Sequence, residues 1–191
     1  MANKVKFGLS NVHYAKMTIG EDGAITYATP VPIPGAVNLS LEPQGEESPF
    51  YADNIKYFND YANNGYSGDL EMAKIPDSFL KDILGQTIDT NGAVIENADD
   101  KAAHFAFMFE VDGDESKKRV VYYNCTASRP SAEASTINET KEPNTDTLTI
   151  TASARDTDKQ VRASLEPSEE NMAIFNKFYE KVYEKNAVAS V

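Results

Sequence analysis

Apolar and polar positions alternate with period two along most of the chain. Val5, Phe7 and Leu9 are each separated by a polar or small residue, and Val37, Leu39 and Leu41 repeat the pattern. In the run HFAFMFEVDG, Phe105, Phe107, Phe109 and Val111 share one face and Ala106, Met108 and Glu110 the other. The run KRVVYYNCTA is expected to pair with it across the Gly- and Asp-rich turn Asp112-Gly113-Asp114-Glu115. In DTLTITASAR, Leu148, Ile150, Ala152 and Ala154 point one way while Thr147, Thr149, Thr151 and Ser153 point the other. Val161, Ala163 and Leu165 add a last alternating stretch. Strict alternation predicts antiparallel strands with one buried face.

Two stretches change to helical spacing. In IPDSFLKDILG, Phe79, Leu80, Ile83 and Leu84 form an apolar stripe. Pro76 and Asp77 suit a first turn, and Gly85 a C-terminal stop. The second stretch predicts a C-terminal helix over 168–186. Ser168 is its expected N-cap, Glu169 and Glu170 sit in its first turn, and Phe175, Phe178, Tyr179, Val182 and Tyr183 share a face.

Between these elements, residues 128–144 hold one Ile and no aromatic residue. Structureless connections of that length are uncommon and usually functional, so a long assembly loop is expected there. Pro30, Pro32 and Pro34 suit an extended, edge-like or linking segment. In ANNGYSG, Asn64-Gly65 is expected to be a hairpin turn feeding a strand that carries Tyr66, Leu70 and Met72.

The chain has 191 residues, enough for one domain with a sizeable core, taken as 1–191. Its composition, 41% hydrophobic and 25% charged, is that of a globular body. No run of 18 apolar residues suggests a membrane span. The first residues lack the apolar stretch of a secretory leader, so a product made in the cytoplasm is expected. The formal net charge is −12, with no basic cluster larger than SKKR at 116–119. Binding to nucleic acid depends on neutralising phosphates, so such a surface repels DNA rather than holding it.

Candidate chemistry is sparse. Gly65-Tyr66-Ser67-Gly68-Asp69 falls one residue short of a serine-nucleophile elbow, with Asp69 where the last Gly belongs. A serine nucleophile needs a base, and neither His13 nor His104 has a motif around it. Leu70 and Met72 continue as strand, not helix, so Ser67 reads as an ordinary strand-start residue after the turn. Cys125, the only cysteine, reads as a small strand residue. One cysteine and two histidines make a zinc site unfavourable. The acids of DTNG (89–92) and DGDE (112–115) lack the spacing of a calcium loop and read as turn acids. No cofactor or catalytic residue is assigned. Tyr51, Tyr57, Phe58, Tyr61 and Tyr66 cluster within 50–66, suited to core or subunit-interface packing.

The order of several short elements carries a resemblance. Tyr-Ala-Asp-Asn at 51–54, Gly-Tyr-Ser-Gly-Asp-Leu-Glu at 65–71, and Ile75-Pro76 with Phe79 and Leu84-Gly85 follow one another. KVKFGLSNVHYA at 4–15, Ser-Arg-Pro at 128–130 and DTLTITASAR also fit. Together they resemble the major tail proteins, the tail tube subunits, of long-tailed phages infecting Gram-positive bacteria. The resemblance implies a mainly β fold with minor α: an antiparallel β-sandwich or barrel-like core with a flanking helix and a C-terminal helix. The chain would be the short form, without the extra immunoglobulin-like domain of some members.

It further implies a structural protein of the virion tail. Six subunits would form rings, and stacked rings a tube through which DNA passes without specific binding. Partners would be other copies and the tape-measure, tail-terminator and baseplate-type proteins. On this reading the assembly residues are Tyr51, Asp53, Tyr57, Tyr66, Arg129, Pro130, Glu133, Ile137 and Glu139. Acids in 112–115 and 95–100 are candidates for the lumen or, equally, solvated turns. The alternative from another class is a carbohydrate- or protein-binding β-sandwich of the adhesin type, resting on the Tyr-rich segment.

Overall fold

The computed structural model describes residues 3–132, 136 and 143–186. Strands come first: β1 (Lys6–Ile19), β2 (Ile25–Tyr27), β3 (Val31–Pro32), β4 (Ala36–Pro43), β5 (Glu47–Ala52), β6 (Ile55–Tyr61) and β7 (Tyr66–Met72). Helix α1 (Asp77–Asp82) follows, then β8 (Thr87–Ile88) and β9 (Val94–Ile95). The chain continues through β10 (Phe105–Gly113), β11 (Lys118–Ala127), β12 (Asp146–Ser153), β13 (Arg162–Leu165) and α2 (Met172–Asn176).

The main sheet is antiparallel, in the order β2-β1-β10-β11-β12-β7-β4, with β3 also on β1 and β13 also on β11. Val12 and Tyr14 of β1, Phe105 and Phe107 of β10, Leu148 and Ile150 of β12, and Leu70 and Met72 of β7 all enter one buried cluster. Strands far apart in the sheet order share one core, so the sheet curls around that face. Phe79, Ile83 and Leu84, on and just after α1, seal the cluster. Tyr14 donates its hydroxyl to Asp82 at 2.9 Å, and burial pushes its pKa up to about 12. The predicted first helix and its stop are present, with Gly85 at φ +77°. The Pro-rich segment runs extended along β1 as β3, where Ile33 N–H donates to the Val12 carbonyl at 2.7 Å. Among the described residues the sheet stays open rather than closing into a barrel.

Several expectations need correction. β10 is buried on both faces from Phe105 to Glu110. Its second face, with Ala106 and Met108, packs with Ala15, Val121 and Tyr123 against Phe178 and Val182. The C-terminal segment that supplies those two residues is not the helix expected over 168–186. Helical turns are limited to Met172–Asn176, and 177–186 runs on as turns and irregular chain. Ser168 does not cap it: its N–H is taken by Asn171 Oδ1 at 2.7 Å, and the N-cap Asn171 makes no capping bond. The Phe175 carbonyl accepts from Phe178 N–H, three residues on, and from the Arg119 guanidinium. The last turn thus closes as a three-residue bond, with the Arg119 guanidinium on the same carbonyl.

The hairpin turn is also elsewhere. β6 pairs with β5, and β7 pairs with β12 and β4, so Asn64-Gly65 does not join two paired strands. The tight turn is Asp53-Asn54, both left-handed at φ 52° and 60°. That is the signature of a type I′ turn, which Asp and Asn tolerate best after Gly. At the chain start, register shifts in β1 between Lys6 and Leu9 leave Phe7 64% exposed and Val5 exposed, with only Leu9 half-buried. A similar shift between Ala36 and Asn38 turns Val37 outward. One extra residue is enough to reverse which face a side chain takes.

Candidate assembly site

Residues 36–72 form one long hairpin. Its lower half is β4 on β7, from Ala36↔Met72 to Pro43↔Tyr66. Its upper half is β5 on β6, from Glu47↔Tyr61 to Ala52↔Ile55. Backbone bonds bridge the halves: Gln44 N–H to the Gly65 carbonyl (2.8 Å), Asn64 N–H to the Gln44 carbonyl (2.9 Å) and Ala62 N–H to the Glu46 carbonyl (3.2 Å). Two glycines make this root possible. A Cβ on Gly45 would lie 1.8 Å from the Ala62 carbonyl oxygen, and one on Gly65, at φ +92°, would lie 1.9 Å from that of Ala152. Neither position accepts a side chain without moving backbone.

Beyond the root, among the described residues, the upper half carries no packed layer on either face. Every residue of β6 is exposed, and only Ala52 of β5 is partly covered. Tyr57 is 70% exposed and Tyr61 69%, and Phe50, Tyr51, Ile55 and Phe58 are close behind. The strands hold together through their ladder, the facing Phe50 and Phe58, and an ion pair between Lys56 and Glu47. At about 3.3 Å per residue, this arm extends roughly 20 Å. An isolated two-stranded ribbon is marginal in water. This one is steadied by continuity with β4 and β7.

The proposed assembly residues fall in different places. Tyr51, Asp53 and Tyr57 come together on the arm, with Asp53 at its tip. Tyr66 lies at the root, half-buried, its ring edge-on to Tyr122 at 5.2 Å with the Arg162 guanidinium 5.6 Å away. Arg129 is exposed and pairs with Glu96 at 2.7 Å, and Pro130 beside it is half-buried. Glu133, Ile137 and Glu139, with most of the expected loop, lie outside the described residues. Phe50 and Ile55 complete the arm and were not singled out from sequence. The Asp53-Asn54 pair between two short aromatic runs was the signal that could have found them.

The chemistry-bearing residues have structural roles. The Ser67 hydroxyl faces Thr151 Oγ1 across the strands at 3.2 Å. His13 stacks on Tyr179 at 4.4 Å with Nδ1 on the Asn11 carbonyl, and His104 Nδ1 meets Asn124 Oδ1 at 2.6 Å. Cys125 is fully buried, and that burial drives its thiol pKa far up. Among the described residues no three His, Cys, Asp or Glu side chains are grouped to hold a metal. Asp89 accepts the N–H groups of Asn91 and Ala93, which hold its carboxyl below the usual range. Asp114 accepts those of Lys4 and Val5, and Asp100 that of Asn97.

Sequence reasoning missed a buried carboxylate. Glu110 is 0% exposed and receives Lys117 Nζ at 2.8 Å, Arg119 Nε at 2.8 Å and Asn11 Nδ2 at 3.0 Å. Burial alone would raise its pKa, but these donors outweigh it and hold the carboxyl below its ordinary value. Arg119 then lies 4.0 Å over the Phe175 ring and ties the C-terminal segment to the sheet. Arg155, buried over the Tyr123 ring at 4.3 Å, makes a second tie by pairing with Asp158 and Glu184.

The described residues thus form a β body with an apolar arm held out in solvent. A protein-family model of phage tail tube proteins matches residues 2–187. The chain belongs to the phage tail tube protein family, and is a structural component of the virion tail. A search of curated proteins gives no match. Among the described residues no helix is long and apolar enough to cross a membrane.

Proposed function

We propose that copies of this chain form hexameric rings that stack into the phage tail tube, the conduit through which DNA is ejected. The observation that carries this reading is the arm, two strands with large apolar side chains exposed on both faces. Fully burying a side chain of that size contributes about 1.5–3 kcal/mol, so covering even part of the arm gives a large drive to associate. Tyr51, Asp53 and Tyr57 make the contacts on the arm. Arg129, Pro130 and the segment holding Glu133, Ile137 and Glu139 contribute further contacts, while Tyr66 braces the root. The open sheet supports the same reading, because unpaired strand edges invite pairing with another copy.

Charge accounts for passage of the cargo. Each copy brings a formal −12, so a ring concentrates negative charge around its channel. Phosphates meet a like-charged wall and find no lysine cluster to hold them. The tape-measure, terminator and baseplate-type proteins of the tail are the partners that start, measure and cap the tube.

Negative-stain microscopy and light scattering of concentrated protein test this. Rings or tubes are expected from the native chain. The double variant Tyr57→Asp/Phe58→Asp is expected to keep its fold by circular dichroism and remain monomeric. Monomers from the native chain, with and without a tail-initiation complex, would remove the proposal.

A further inference from the structure

We infer that the arm docks on the N-terminal edge of β1 in a second copy of the chain, in a head-to-tail contact. The inference rests on the reading of the arm as an assembly element and names its receptor. Among the described residues, β1 from Lys6 to Ser10 pairs with β10 on one side only. Its other side is taken up only later, by β3 at His13 and Tyr14 and by β2 from Met17. That leaves an open edge flanked by the exposed Val5 and Phe7.

The edge is held in place rather than left loose. Asn3 Oδ1 accepts the N–H groups of Glu115 and Ser116, and Asn3 Nδ2 donates to the Ser116 carbonyl. Asp114 Oδ1 accepts Lys4 N–H at 2.8 Å. Four hydrogen bonds thus fix a segment whose Lys4, Val5, Lys6 and Phe7 side chains stay exposed. A preorganised edge loses less entropy on binding than a loose tail.

Charge selects this edge among those available. Residues 46–61 carry Glu46, Glu47, Asp53 and Asp60 against one base, Lys56, a formal −3. Residues 3–10 carry Lys4 and Lys6 and no acid, a formal +2. Among the described residues neither lysine has a carboxylate partner, whereas Lys117 and Lys118 are already paired. The other edges suit the arm less. β4 bears Glu42 and no base, and β2 follows Glu21 and Asp22. On β13, Arg162 is turned onto Tyr122 and Tyr66. On the arm, β6 is the edge that docks, because Pro49 removes an N–H donor from β5. An arm that fits a different patch on the next copy, rather than the same patch, propagates instead of closing a two-fold dimer.

The full-length protein tests this by reversal and rescue. Lys4→Glu/Lys6→Glu should raise the concentration needed for assembly by about tenfold or more, since like charges then face each other. Combining it with Glu46→Lys/Asp60→Lys should restore assembly. Mixing a Phe7→Cys chain with a Tyr57→Cys chain under oxidation should give a disulfide-linked pair of one of each, with Cys125 buried out of reach. If Tyr57→Asp blocks assembly and the lysine reversal does not, the receptor edge is wrong and the tube reading stands. Cross-links only between two Tyr57→Cys arms would also overturn the receptor edge, in favour of arm-to-arm pairing. If neither Tyr57→Asp nor the lysine reversal affects assembly, both the receptor edge and the arm's part in assembly fall.

Discussion

The two halves of the long hairpin are built alike and live in opposite surroundings. β4 and β7 form an antiparallel pair rich in apolar residues, and so do β5 and β6. In the lower half β7 has β12 as a further neighbour and sends Leu70 and Met72 into the main core. Among the described residues the upper half has no third strand and no opposing layer, and its six large apolar side chains stay in solvent. Local strand formation is thus common to both, while burial is a property of what else arrives. Where the subunit supplies no cover, the surface is left for another chain.

That contrast can be broken or sharpened by substitution, and the largest effects belong to the body. Glu110→Gln should cost about 3 kcal/mol in urea unfolding, because Lys117 and Arg119 lose the buried charge they share. The same group sets a pH dependence. The folded carboxyl has the lower pKa, so its stabilisation is complete above the unfolded value, about 4.3, and is lost as pH falls through the folded one. Thermal midpoints of the native chain should drop steeply below about pH 4, and those of Glu110→Gln should drop less.

Leu70→Ala, in the lower half, should cost about 2–5 kcal/mol by leaving a cavity in the core. At the junction, Gly65→Ala should cost more than about 1 kcal/mol, since its positive φ and the Ala152 carbonyl both oppose a side chain. Smallest of all, Tyr57→Ala in the upper half should change unfolding by less than about 0.5 kcal/mol. It should nevertheless weaken assembly, read by light scattering. A Tyr57→Ala cost as large as that of Leu70→Ala would mean that the arm packs on its own subunit.

Much of this contrast could be read from the chain, but not all. The alternation of Leu148, Ile150 and Ala152 and the stripe around Phe79 were legible because each is a local period with one buried face. The aromatic cluster at 50–66 was legible as a surface awaiting a partner or a core, but alternation alone could not say which. Asn64-Gly65 looked like a turn because the dipeptide favours positive φ. Gly65 does adopt it, yet to pass close to Ala152 rather than to reverse the chain. The face lost to bulges at Phe7 and Val37 had no signal at all, because a bulge depends on the partner strand. The helix expected over 168–186 failed for a related reason. Its apolar spacing was sound, and Phe175, Phe178 and Val182 are buried, but the helix ends at Asn176, where a three-residue bond closes on the Phe175 carbonyl beside the Arg119 guanidinium.

By itself the sequence determined the β-rich class, most strand positions, α1 and its Gly85 stop, and the place of Cys125 as a small strand residue. These follow from residue period and side-chain chemistry, which act over a few neighbours. Only the tertiary structure decided that β10 is covered on both faces, that Glu110 is buried with Lys117 and Arg119, and that the hairpin leaves the sheet at Gly45 and Gly65. Each of those depends on which distant segment comes to lie alongside. A strand's own residues specify its alternation, but not whether anything packs upon it.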